Sequence, residues 1–177
     1  MANKRKDPDF KLTGEYVRQW FDYDPETGVV YRKKSKITNK VGAPAGSMMP
    51  NNGYIIIRFD GHWVYAHRLA HVWMTGSEPT GQMDHINGVK FDNRWSNLRD
   101  VSQSYNMQNT IKAGKNNSTG LRGVTNISQG RHKGTFSASI RINGEMVVLG
   151  YYPTPEEAFE VYHECKKLYH PGYVPRA

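Results

Sequence analysis

Cysteine is nearly absent from this chain of 177 residues. Cys165 is the only one, which excludes a disulfide framework and any zinc site built on four thiolates. A lone thiol is compatible with a reducing compartment. Long apolar runs are missing too: no stretch approaches the ~20 residues of a membrane-crossing helix, and the opening MANKRKDPDFKL has no apolar signal core. No membrane partner and no export are therefore expected, and Lys4-Arg5-Lys6 is taken as a solvated arm or a phosphate contact. Acid is scarce where base is plentiful. From Lys112 to Gly144 there is no Asp or Glu, while Lys112, Lys115, Arg122, Arg131, Lys133 and Arg141 all fall in that stretch. The whole chain carries 24 Lys and Arg against 16 Asp and Glu, a formal net charge of +8, which favours a polyanionic partner.

The pattern along the chain is α+β. Thr13 caps a short amphipathic helix over Gly14–Phe21, Asp24–Gly28 is a turn, and Val29–Tyr31 is a strand. The span Lys36–Asn52 reads as a loop. Tyr54–Phe59 and His62–Tyr65 flank Asp60-Gly61, a hairpin signal, and Ala66–Thr75 has helical spacing. A strand at Met83–Ile86, a second at Asn97–Val101 and a helix from Ser102 to about Ala113 follow. The polar run 114–120 is expected to be a linker. Beyond it come a strand near Gly123–Ile127, an alternating strand over Thr135–Ile142, the turn Asn143-Gly144 and a returning strand Met146–Tyr152. Thr154-Pro155-Glu156-Glu157 then opens a helix with Ala158, Tyr162, Cys165 and Tyr169 on its apolar stripe.

The densest chemistry lies in MDHINGVKFDNRWSNLRDVSQSYNMQN, residues 83–109. An adjacent carboxylate and imidazole, Asp84 and His85, precede a Gly-containing loop; Asn97 follows the loop and Asn106 falls inside the helix. A carboxylate, a base and an amide oxygen gathered in this way suit water activation beside a hard cation. The arrangement resembles the HNH nuclease motif, a ββα-metal finger, in the variant of group I intron-type homing endonucleases with Asn as third letter. The resemblance implies His85 as general base, Asp84 and Asn106 as metal ligands and Asn97 as the residue that pins the loop. Oxygen donors from Asp and Asn suit Mg²⁺ or Mn²⁺, and no structural zinc is expected. The resemblance also implies a double-stranded DNA substrate and a phage-encoded enzyme working in the cytoplasm of a bacterial host.

The second unit resembles the Apetala-type domain of plant ethylene-response factors, through GVTNIS at 123–128, GTFSASIRINGEMVVLGYY at 134–152 and TPEEAFEVY at 154–162. In that family a three-stranded sheet enters the major groove. Arg122, Arg131, Lys133 and Arg141 are the implied DNA contacts here, and Phe136 stands where the family carries Trp. The acids Glu156, Glu157, Glu160 and Glu164 collect on the covering helix, which leaves the basic sheet turned towards phosphate. Nearer the motif, Arg68, Arg94 and Arg99 are candidates to hold the scissile phosphate, while His67 and His71 are assigned to the core or to a DNA-facing surface. The domain limits that follow are 1–113 for the nuclease region, with its ββα core at 82–113, and 121–172 for the DNA-binding domain. A DNA-binding regulator with a decayed nuclease half is the alternative, and monomer and homodimer both remain open.

Overall fold

The computed structural model of the protein describes residues 11–34 and 40–175. The Lys4-Arg5-Lys6 arm and the start of the Lys36–Asn52 loop lie outside the described residues. The described chain is α+β, built of small antiparallel sheets and four α-helices. It divides into two compact units, Met1–Gln103 and Ser104–Ala177.

In the first unit α1 (Gly14–Trp20) starts where the Thr13 hydroxyl accepts the Tyr16 N–H. The chain continues into the hairpin β1 (Phe21–Tyr23) and β2 (Val30–Arg32). A three-stranded sheet follows, β3 (Ser47–Met48), β4 (Ile55–Phe59) and β5 (His62–Tyr65). The β4–β5 turn puts both Asp60 (φ 47°) and Gly61 (φ 83°) in the left-handed region, the geometry that suits the twist of a two-residue hairpin. The two-residue strand β3 falls in the expected loop and is too short to carry an alternation of its own. Next come α2 (Ala66–Thr75) and the hairpin β6 (Gln82–His85) with β7 (Leu98–Val101), a short 3₁₀ turn at Trp95–Asn97 leading into β7. Val17, Phe21, Ile57, Phe59, Leu69, Val72 and Leu98 bury their side chains in one core. At ~1.5–3 kcal/mol per large apolar side chain, that core is the main support of the first unit, and Met83 of β6 packs against it.

The second unit contains α3 (Gln103–Asn109, its first residue still in the first unit), β8 (Val124–Asn126), β9 (Phe136–Ile142), β10 (Glu145–Tyr152) and α4 (Pro155–Tyr169). The sheet runs in the order β10-β9-β8, and Val124, Ala138, Ile140, Ala158 and Tyr162 form its core against α4. Helix α3 ends at Asn109, before the expected limit near Ala113, because the chain leaves it to form a β-bridge between Lys112 and Leu121. The segment 114–120 is a hydrogen-bonded turn within this unit: Asn117 Nδ2 donates to the carbonyls of Leu121 (3.1 Å) and Val124 (2.9 Å).

The stripe of α4 differs from the expected one at its end. Tyr169 is 55% exposed and Cys165 half-buried, whereas Lys166 is 1% exposed. The Lys166 ammonium donates to the Thr110 carbonyl (2.6 Å) and lies over the rings of Tyr173 (4.4 Å) and Tyr162 (5.7 Å). Residues 171–174 complete the clasp on α3. The Tyr105 hydroxyl donates to the Pro171 carbonyl (2.9 Å), the Gly172 N–H to Gln108 Oε1 (2.9 Å) and the Val174 N–H to Asn109 Oδ1 (3.3 Å).

One glycine in this unit has no room for a side chain. Gly123 has φ +81°, and a Cβ there would stand 2.1 Å from the Tyr162 ring. Gly123→Ala combines left-handed strain with overpacking and is expected to cost roughly 2–4 kcal/mol, read as a lower urea midpoint for the second unit's transition.

Candidate active site

Asp84 and His85 are the last two residues of β6, paired across the hairpin with Arg99 and Leu98 of β7. Both side chains are buried. Strand alternation sends them to opposite faces. Arg99 reaches Asp84 Oδ2 through Nε (2.9 Å) and Nη2 (2.7 Å).

His85 is oriented by a residue that the sequence pattern did not mark. Asn93, 1% exposed, turns its Nδ2 to the Phe91 carbonyl (3.2 Å) and its Oδ1 to His85 Nε2 (3.1 Å). An amide oxygen only accepts, so Nε2 carries the imidazole proton and Nδ1 carries the lone pair. Burial lowers the His85 pKa below that of free histidine, against the opposing pull of Asn93, Asp84 and Asp92. A neutral imidazole with a fixed tautomer is the form a general base requires.

The loop that delivers Asn93 is tied down from three sides. Asn97 accepts the Asn87 N–H on Oδ1 (2.9 Å) and donates Nδ2 to the Asp92 carbonyl (2.7 Å), which closes the loop between β6 and β7. Arg94 holds Asp92 through Nε (2.8 Å) and Nη2 (2.6 Å), chiefly by these bonds keeping its pKa down at about 2. The β1–β2 turn supplies the third support. Tyr23 donates its hydroxyl to the Asn93 carbonyl (2.6 Å), and the Trp95 N–H donates to the Pro25 carbonyl (2.9 Å). Gly28 (φ +74°) lies so close that a Cβ would meet Asn93 C and Arg94 N at 2.4 Å.

His67, assigned from sequence to the core or a DNA-facing surface, stands beside His85. Its ring meets that of His85 edge-on at 5.2 Å and stacks on Tyr65 at 5.2 Å, while Tyr54 lies 5.3 Å from His67 and 5.8 Å from His85. The signal available was its place one residue into a helix that follows a strand directly. His71, one turn further on, belongs elsewhere: its Nδ1 lies 3.1 Å from the Ser77 carbonyl.

Burial, with smaller contributions from His85 and Arg68, pushes the His67 pKa down to about 3 from 6.5. Below pH 6.5 the unfolded chain takes up a proton at this position and the folded chain does not. Stability from His67 is thus full above pH 6.5 and falls as pH drops towards 3. Between pH 7 and pH 4.5 about 2–3 kcal/mol should be lost through this group. Urea titrations at the two pH values should show that difference shrinking by as much in His67→Gln.

The remaining candidates are distributed over both units. Arg68, on α2, is exposed and paired with Glu78. Asn106, on α3, is half-buried and belongs to the second unit. Within that unit Arg131 and Lys133 are exposed on the β8–β9 connection, and Arg141 is exposed on β9. The register puts Arg141 beside Met146, Ser139 beside Val148 and Ser137 beside Tyr151, on the face opposite Ala138 and Ile140. His132 stacks on Tyr151 at 3.8 Å. Arg122 instead turns back to the Lys112 carbonyl (3.2 Å) and Tyr162, and Phe136 packs towards α4. Among the described residues no group of three or more His, Cys, Asp and Glu is gathered to hold a metal, and no helix is long and apolar enough to cross a membrane.

His85 is thus a buried imidazole that follows Asp84 in the chain, with its tautomer set by Asn93 and its pKa lowered by burial. Residues 64–108 match the family model described as HNH endonuclease, a stretch that holds α2, β6, β7 and nearly all of α3. The match supports an HNH nuclease, a hydrolase of phosphodiester bonds acting on DNA. No curated protein matches the chain. No solved structure matches it either.

Proposed function

We propose that this chain is a site-directed DNA endonuclease of the homing type, phage-encoded, with its nuclease chemistry in residues 1–113 and a DNA-binding domain at 121–172. The observation that carries the reading is the His85–Asn93 hydrogen bond inside the matched region. In this reading β6, β7 and α3, which follow one another in the chain, serve as the two strands and the helix of a ββα element. His85 Nδ1 takes a proton from water as the water oxygen attacks phosphorus, and the bond to the leaving 3′ oxygen breaks. Asn93 holds the imidazole for that transfer. Asp84 and Asn106 are the metal ligands that the resemblance implies, and each offers oxygen, the donor that a hard cation takes. When bound, Mg²⁺ or Mn²⁺ supplies charge neutralisation at the phosphate and at the leaving oxygen.

DNA is held in this reading by phosphate contacts from Arg68, Arg94 and Arg99 near the base and from Arg131, Lys133 and Arg141 in the second unit, Arg122 being turned inward. The open sheet face carrying Arg141 with Met146, Val148 and Tyr151 is suited to base edges. Purified protein with supercoiled plasmid, Mg²⁺ and an EDTA control tests the proposal. Metal-dependent conversion to open circles or linear DNA is expected. Intact DNA with Mg²⁺ and with Mn²⁺, including the gene's own flanking sequence, would leave a DNA-binding regulator.

A further inference from the structure

We infer that the outer face of the β4–β5 hairpin is a stacking platform for an unpaired nucleotide of the substrate strand, with Trp63 as its central side chain. The inference rests on the reading of His85 as the base of a DNA nuclease and names the state in which that DNA is taken.

The hairpin has two unlike faces. Ile57, Phe59 and Val64 point into the core. The register places Arg58 beside Trp63 and Ile56 beside Tyr65 on the other face. There Trp63 is 63% exposed and Tyr65 36% exposed, so the largest side chain of the hairpin is turned away from the available core. The Arg58 guanidinium lies 5.8 Å from the Trp63 ring and the Lys90 ammonium 4.8 Å from the Tyr54 ring. The two carboxylates nearest in sequence are already engaged, Asp60 by the Tyr16 hydroxyl and Glu78 by Arg68.

This face leads to the base. Tyr54 and Tyr65 meet at 5.4 Å, Tyr65 stacks on His67, and His67 abuts His85 at 5.2 Å. Aromatic rings interleaved with cations are how proteins hold single strands: a ring takes the flat face of a base and the cation its phosphate. A paired strand has no such face to give, because its bases are stacked every 3.4 Å along the strand. Same-face residues of β5 are spaced at roughly twice that. A nucleotide resting on Trp63 therefore has to be unstacked, as at a mismatch, a nick or a distorted step next to the scissile phosphate.

Fluorescence of the full chain, in EDTA so that nothing is cut, tests this with a thymidine single strand of about 12 nucleotides and a duplex of the same length. The single strand is expected to quench tryptophan emission more than the duplex does. Trp63→Phe should abolish most of that quench while keeping affinity within about threefold, because a ring remains. Trp63→Ala should weaken single-strand binding by roughly 5- to 150-fold, the effect of losing one stacked base. Equal quenching by duplex and single strand, or a Trp63→Ala protein that binds single strand as the wild type does, would overturn the inference. Neither measurement depends on cutting, so failure here and failure to nick plasmid are separate results.

Discussion

His85→Ala is expected to bind DNA within about threefold of the wild type and to nick it at least ~10²-fold more slowly, the scale of a lost general base. The two readouts separate because the side chain is buried at the end of β6 and adds no exposed cation to the surface. Asn93→Ala asks a finer question. The imidazole remains, but the acceptor that fixes its proton on Nε2 is gone, so the ring samples both tautomers and other orientations. A loss of roughly 10- to 100-fold is expected, as for other residues that orient a reactive imidazole, with thermal stability lowered only modestly. Plasmid nicking at fixed protein, with gel-shift affinity measured in parallel, checks both variants. An Asn93→Ala enzyme of wild-type rate would show that Asn93 holds the loop and not the base.

Lys166→Glu is expected to unfold the packing around α3, and Lys166→Met to be tolerated. The wild-type ammonium is satisfied by the Thr110 carbonyl and by the faces of two tyrosines. A carboxylate in that place has no proton to give the carbonyl and meets the negative faces of the same rings. An uncompensated buried charge costs ~3–5 kcal/mol, a large share of the stability of a small domain. Methionine loses one charge-assisted hydrogen bond, worth about 1.5–3 kcal/mol, but also loses the burial of a charge and keeps the volume. Amide hydrogen exchange over residues 103–113 reads the difference: fast exchange in Lys166→Glu and near wild-type protection in Lys166→Met. Equal protection in wild type and Lys166→Glu would remove Lys166 from the account of α3.

What was legible in the sequence follows the range of the interaction that decides it. Asp60-Gly61 and Asn143-Gly144 announce their hairpins because the turn is set by its own two residues. Helix α2 shows its limits through apolar spacing and Gly76. The adjacency of Asp84 and His85 is plain in the chain, and so is the loop between them and Asn97. Asn93 is not: an Asn in a polar loop looks like any turn residue, and its orientation depends on Tyr23 and Gly28, which are distant in sequence. Lys166 eluded the pattern for the converse reason. Charge normally marks a solvent-facing position, and only the arrival of Thr110 and Tyr173 makes burial acceptable.

The clasp on α3 has a temporal consequence. Translation delivers residues in order, so Gln103–Asn109 is made well before Lys166, Pro171 and Gly172 exist. A helix of seven residues does not hold alone in water. The share of its stability that the clasp supplies is withheld from the nascent chain until residues 166–174 have been made and have left the ribosome.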